Sequence, residues 1–368
     1  MLRRLPLFVL CALALIASSC SGSDVETAAT APTAVPDPTA VPAATAAPEP
    51  TDPEEPTAEP TAEPTEEPTA EPEPTVETYD APGGLELALP IDAGAAPGTV
   101  IDTEELDVTG AVGQRLLYHS TSAQGEGVAV SGFVLYPEGD VPDGGWPLIA
   151  WAHGTTGLGD SCAPSNDAEN DQLALALASF GYAVVATDYE GLGTPGVHPY
   201  VVGASEAHSV LDSVRAVFEL DLPVTDEWIV FGHSQGGHAA MFTGQLQPSY
   251  APELDMIGVV AGAPPSQMGE LNDALIGSDF QGYLIMTAAG LVAANPDLDL
   301  ADVLSADAID LIDVVETGCT AEIFEVYNPL DYDDVTVVDD PFALTDWGAA
   351  VQVNDTNLLP VTAPLLII

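Results

Sequence analysis

Residues 228–246, WIVFGHSQGGHAAMFTGQL, decide the fold. Trp228–Phe231 is an apolar run of the length and composition of a strand buried on both faces, and Gly237–Leu246 is compatible with a helix. Between them Gly232-His233-Ser234-Gln235-Gly236 satisfies G-x-S-x-G. A serine on so tight a strand-to-helix turn sits in strained backbone, which flanking glycines make sterically possible. The turn lifts Oγ to where a base can reach it, and the helix N-terminus favours negative charge developing beside it. The letters alone are common; the strand before and the helix after make Ser234 a candidate nucleophile. The competing reading is a glycine-rich turn with an idle hydroxyl.

Working outward, Val128–Pro137 alternates and is rich in β-branched residues, while Pro147–Ala152, Tyr182–Thr187 and Ile257–Ala261 are short apolar runs. Such runs suit central strands of a mostly parallel sheet. Helical patterns lie between them. Ala207, Val210, Leu211, Val214, Val217 and Phe218 form one stripe at helical spacing, with Ser205 placed to cap its start. A second helix is expected over about Asp171–Ser179. Strand-helix alternation predicts a doubly wound α/β fold. After Ala263-Pro264-Pro265 the pattern changes to helix-like pieces and acidic loops without a clear strand, so about 266–345 reads as a cap over the mouth of the sheet.

His153-Gly154-Thr155-Thr156-Gly157 follows the strand PLIAWA, where a loop donating to an oxyanion is expected. The two donors would be the backbone N–H of Gln235 and that of Thr155 or Thr156, a choice the sequence leaves open. The alternative is a flexible loop after a strand.

The formal charge is −54, with no lysine and arginine only at positions 3, 4, 115 and 215, which makes nucleic acid an unsuitable partner. Fifteen of the 58 acidic residues fall in 21–82, leaving 43 on the folded part against two arginines. Such a surface repels itself unless counter-ions screen it. A saline habitat is one expectation, tested by a melting temperature that rises with salt; an acidic extracellular protein is the plainer one.

Residues 1–20 carry a positive start, an apolar stretch from Leu5 to Ala17, and small residues before Cys20, the pattern of an export signal too short for an ordinary membrane span. The ending Ala17-Ser18-Ser19-Cys20 is similar to a bacterial lipobox, so lipidation of Cys20 and attachment to a membrane are expected, with plain signal cleavage as the alternative. Residues 21–82, built from Thr, Ala, Pro and Glu with tandem PTAE-type tetrapeptides from Pro56 to Glu71, lack the apolar side chains that offset ordering entropy. They read as a disordered stalk reaching on the order of 150 Å, followed by one domain over 83–368. With Cys11 and Cys20 in the leader, Cys162 and Cys319 are the pair left to the exported domain. An oxidising compartment favours a disulfide between them, against two separate buried thiols.

HGTTG, CAPS at 162–165, DYEGLGTPG at 188–196, GHSQGGHAA at 232–240, YAPEL at 250–254 and NDTNLL at 354–359 occur in that order. Together they resemble the secretory lipase family of α/β-hydrolases, over about 100–368. The resemblance implies an α/β-hydrolase fold with a helical cap, and hydrolysis of carboxylic esters, acylglycerols among them, through an acyl-enzyme on Ser234. It implies no metal and no organic cofactor, requires no protein partner, and is compatible with a Cys162–Cys319 bridge. The family order is serine, then aspartate, then histidine, yet no histidine follows His238. Ala363–Ile368 reads as a late sheet strand, so the chain is expected to be a C-terminally truncated fragment with acid and base beyond residue 368 and little turnover as it stands.

Six histidines are the candidates for a substitute base. His119 and His153 precede the nucleophile, His233 and His238 flank it awkwardly, His198 lies on a loop able to approach the mouth, and His208 borders a helix stripe. Structural roles explain each. Asp188 at a strand end is either a site residue or the acceptor of a hydrogen-bonded turn. The acidic run 331–340 fits no calcium loop. Competing functions are a peptidase or other acyl hydrolase on the same scaffold, and a non-catalytic surface binding module.

Overall fold

The structure, a computed structural model, describes residues 77–368. The export signal, Cys20 and nearly all of the expected stalk lie outside the described residues. Strand β1 (Glu77–Asp80) pairs antiparallel with β2 (Glu86–Leu89), so the folded body already includes residues 77–82, assigned from sequence to the stalk. The apolar partners of this hairpin, Leu85 and Leu87, are buried with Leu117 and Ala129.

The main sheet contains β3 (Val100–Leu106), β4 (Ala111–Thr121), β5 (Gly127–Pro137), β6 (Trp146–Ala152), β7 (Ala183–Thr187), β8 (Val224–His233), β9 (Asp255–Gly262) and β10 (Leu365–Ile367), in the order β10-β9-β8-β6-β7-β5-β4-β3. From β7 to β10 every pairing is parallel, and β3, β4 and β5 form an antiparallel flank. The mostly parallel sheet with helices against it is an α/β-hydrolase fold.

Three helices cover the sheet: α1 (Gln172–Ser179), α2 (Gly203–Glu219) and α3 (Gln235–Tyr250). The predicted stripe of α2 is buried at Ala207, Val210, Leu211, Val214 and Val217. Fully burying each valine or leucine is worth about 1.5–3 kcal/mol. Ser205 does not cap this helix. The helix starts two residues earlier, at Gly203, whose N–H donates to Asn354 Oδ1 at 2.8 Å. A distant side chain thus satisfies a first-turn donor and frees Ser205 for another bond.

After β9 the chain forms the cap: α4 (Met268–Leu275), α5 (Gly282–Ala294), α6 (Ala306–Ile309), α7 (Asp313–Thr317), α8 (Thr320–Tyr327), α9 (Tyr332–Val335) and α10 (Thr345–Gln352). The helical run therefore passes the expected end at 345. Central to it is α5, whose Ile285, Met286 and Leu291 pack with Val315, Ile323, Tyr327 and Trp347 in a core that also takes in Tyr200, Val201 and Val202 of the body. Cys162 and Cys319 form a disulfide with Cα atoms 5.5 Å apart, tying the loop after β6 to the start of α8. No helix among the described residues is long and apolar enough to cross a membrane.

The central strands position the site. From β6 the chain crosses to β7 on one side, and then to β8 on the other. Ala152 pairs with Gly232, so the carboxyl ends of β6 and β8 lie side by side at the switch in strand order. Open α/β sheets hold their ligands at such a point.

Candidate active site

Ser234 has φ 57° and ψ −125°, a conformation costly for any residue with a side chain. Its surroundings impose it. A Cβ on Gly232 would fall 1.9 Å from Gly236 O, and one on Gly236 would fall 1.9 Å from Ala152 O. Both flanking positions therefore exclude every residue but glycine. The Ser234 N–H donates to Gly262 O of β9 at 2.9 Å, and its carbonyl accepts from His238 N at 3.1 Å. Val201 (φ 52°) and Ala263 (φ 42°), which line a cleft together with Ser234, also have positive φ, so backbone strain collects around this serine.

Two clefts meet at Ser234. One, of about 310 Å³, lies under the cap and is bounded by Tyr200, Val201, Pro264, Met268, Leu271 and Leu275 among others. The second, of about 500 Å³, is more open and more polar, with Trp151, Thr155, Thr156, Asp167, Asn170 and Asp171 on its walls. Tyr283 of α5 borders both.

The HGTTG loop faces the serine. A Cβ built on Gly154 would lie 3.6 Å from Ser234 Cβ. Thr155 Oγ1 is 2.8 Å from Tyr200 OH, and Thr156 O accepts from Thr320 N of α8 at 2.9 Å. Among the described residues the N–H groups of Thr155, Thr156 and Gln235 have no backbone acceptor. Thr155 and Thr156 line the open cleft together with Ser234, and Gln235 follows the serine directly in sequence.

Behind Gln235 lies a buried polar network that sequence reasoning missed. Gln235 Nε2 donates to Glu206 Oε1 at 3.1 Å and to His198 Nε2 at 2.8 Å. His198 accepts there and donates from Nδ1 to Glu190 O at 2.8 Å, which makes it neutral. Burial has the same effect, pushing His198 down to about 4. His238 is the opposite case. Nδ1 donates to Glu206 Oε2 at 2.6 Å and Nε2 to Asn354 O at 2.7 Å, so both nitrogens carry protons. Burial alone would lower its pKa, but the charge and hydrogen bond of Glu206 raise it. Glu206 falls on the apolar stripe of α2, four residues before Val210, and an acid in that position was the available signal.

The other candidates take structural places. Asp188 is fully buried and accepts from Ser131 Oγ at 2.7 Å, Ser165 N at 2.9 Å and Ser165 Oγ, tying the CAPS loop to β5. Burial raises its pKa despite these bonds. His153 bonds Gly154 O and Asp188 O, and His208 bonds Thr121 O and stacks on Tyr250. His119 lies on β4, while His233 is exposed beside the open cleft. No histidine among the described residues bonds Ser234 Oγ. No cluster of three or more His, Cys, Asp or Glu side chains among them is placed to hold a metal ion. The NDTNLL stretch is structural too: Asp355 accepts from the N–H groups of Gln267 and Met268 at the start of α4, and Thr356 O accepts from Gln245.

A serine in this backbone conformation, at the strand-order switch of a mostly parallel sheet and under a helical insertion, is the arrangement of the α/β-hydrolases. The family model for secretory lipases matches residues 166–358, and the chain belongs to that family. It is 32% identical over 120 residues to lipase A of Moesziomyces aphidis, covering 32% of this chain and 25% of that protein. It is 31% identical over 167 residues to secreted triacylglycerol lipase LIP4 of Malassezia furfur, covering 44% and 31%. A probable inactive lipase of Mycobacterium tuberculosis is 28% identical over 228 residues, covering 55% and 50%. The matches thus span a quarter to half of these relatives. In fold, the chain is similar to Candida antarctica lipase A in its closed state (TM-score 0.62, 23% identity, 74% of this chain and 69% of that one). It is also similar to the rice cell wall degrading esterase LipA of Xanthomonas oryzae, as the N228W mutant (TM-score 0.66, 21% identity, 74% and 83%).

Proposed function

We propose that this chain carries the nucleophile, oxyanion site and acyl cleft of an extracellular serine esterase or lipase. The observation that carries the reading is Ser234 at φ 57° on a glycine-locked turn, at the junction of two clefts. Ser234 Oγ attacks the ester carbonyl carbon and the carbonyl oxygen gains the charge. The N–H groups of Gln235 and of Thr155 or Thr156 take that charge as hydrogen-bond donors, helped by the N-terminus of α3. The alcohol leaves, an acyl-enzyme remains on Ser234, and water releases the acid. The cleft under the cap suits the acyl chain, and the polar cleft suits the alcohol.

A serine without its base is a weak nucleophile. The family order places acid and base after the nucleophile, and no described histidine contacts Ser234 Oγ. On this reading both belong to sequence following Ile368. No cofactor enters the scheme. Cys20, outside the described residues, is the proposed lipid anchor behind an export signal, with residues 21–76 as the tether to a membrane surface.

The test compares residues 1–368 with the chain extended by its own downstream coding sequence, on p-nitrophenyl esters and matched amides. Extension should raise ester turnover about 10³-fold or more, with Ser234→Ala returning it to background and amides left intact. Ester cleavage that survives Ser234→Ala would refute the assignment. Ser234-dependent cleavage of amides in preference to esters would favour the peptidase reading.

A further inference from the structure

One polar side chain in the cleft under the cap has no counterpart in the scheme above. Helix α4 turns Met268, Leu271, Asn272 and Leu275 toward the cleft, spacings of three and four that put them on one face. Three are apolar; the fourth, at the centre of the stripe, is an asparagine only 2% exposed. Its Nδ2 has no hydrogen-bond partner among the described residues. Asparagine is a mediocre helix former, and a buried amide donor left unpaired costs far more than a leucine, which would complete the stripe. Of the hydroxyls on the same cleft wall, Tyr200 OH pairs with Thr155 Oγ1, Thr287 donates to Tyr283 O at 2.9 Å, and neither Ser266 nor Tyr283 bonds Asn272.

Resting on the esterase reading, we propose that Asn272 selects the acyl group: the cleft takes an acyl chain bearing a hydroxyl, and the substrate class is esters of hydroxylated fatty acids rather than of plain ones. A hydroxyl accepts from Nδ2 and donates to Oδ1, so it is satisfied whichever way the carboxamide is turned, which a keto or ester oxygen is not. Nδ2 is already shut off from solvent with the cleft empty, so an apolar chain leaves it unpartnered while a hydroxyl supplies the acceptor it lacks.

Binding tests this without turnover. Dissociation constants are measured by calorimetry for residues 1–368 with octanamide and with octanamides hydroxylated at successive carbons, neutral probes that an acidic protein does not repel. At least one hydroxylated probe should bind about tenfold or more tightly than octanamide, the scale of one buried hydrogen bond. Asn272→Leu should erase that preference by weakening the hydroxylated probe and tightening the plain one, and melting curves establish that the variant folds. Equal binding of all probes by the unaltered chain, or a preference that persists in Asn272→Leu, would overturn the proposal. Plain esters cleaved through Ser234 with no hydroxyl preference would leave the esterase reading standing and remove this one. A hydroxyl preference without Ser234-dependent cleavage would remove the esterase reading and with it the ester substrate class, leaving Asn272 only as a hydroxyl-binding residue.

Discussion

The floor and the roof of the cleft under the cap are built on different principles. In the floor, made by β6, β8, β9 and α3, backbone sterics dictate the geometry: Gly232 and Gly236 approach neighbouring carbonyls so closely that any Cβ is excluded. Beneath it, buried Glu206 of α2 is paired with His238 of α3. The roof is a set of short helices, three of them of four or five residues, held by a few discrete ties. Among those ties are the disulfide, the Thr320–Thr156 bond and the carboxylate of Asp355 at α4, beside the apolar contacts to Tyr200, Val201 and Val202. On the proposed esterase reading, the nucleophile needs one geometry, whereas the roof's side chains can change without disturbing it.

The largest test of this contrast lies in the floor. His238→Ala leaves Glu206 buried without its partner, and denaturant titration should show a loss of about 3–5 kcal/mol. A loss below about 1 kcal/mol would mean that the floor tolerates an unpaired charge and the contrast fails. Next comes the roof. Cys162→Ser with Cys319→Ser opens a link across 157 residues and should cost about 2–5 kcal/mol. Hydrogen exchange should rise in α8 and the HGTTG loop while β8 stays protected; equal loosening of both would make floor and roof one cooperative unit.

The smallest effect concerns pH. His198 has its pKa pushed from the ordinary 6.5 down to about 4, so as pH falls through this window the unfolded chain takes a proton that the native one refuses. Stability present above pH 6.5 is therefore lost on the way to about 4, on the order of 3 kcal/mol in full. Asp212, pushed up by burial to about 6, works in the opposite sense between 3.8 and 6 and masks part of the loss. Denaturation midpoints across this range should thus fall more steeply in the unaltered chain than in His198→Asn. Parallel curves would show that His198 is not held neutral.

What the sequence revealed follows the same division. The strands apolar on both faces and the turn at Ser234 were legible because burial on two sides leaves an unbroken apolar run. Strand β3, VIDTEEL, was not, since its exposed acids break any such run and its place comes from pairing with β4. The hairpin of β1 and β2 was hidden by the composition of the stretch before it. Ser205 was misread because the helix it seemed to cap is capped from Asn354, 151 residues away. The serine and its donor loop were readable as local motifs, while the Glu206–His238 pair and Asn272 became visible only when helices distant in sequence were set against each other.

Arg115 and Arg215 are the only basic residues in 77–368 apart from histidine. Arg115 sits within β4, bonded to Ser165 O and paired with Glu104 and Glu169. Arg215 sits within α2, paired with Asp212 and Glu253. Trypsin therefore finds just two cleavable bonds in the whole body, each inside a regular element whose backbone cannot enter a protease cleft. The native body, residues 77–368, should pass through tryptic digestion intact, and peptide mapping of it will need enzymes that cut at acidic residues.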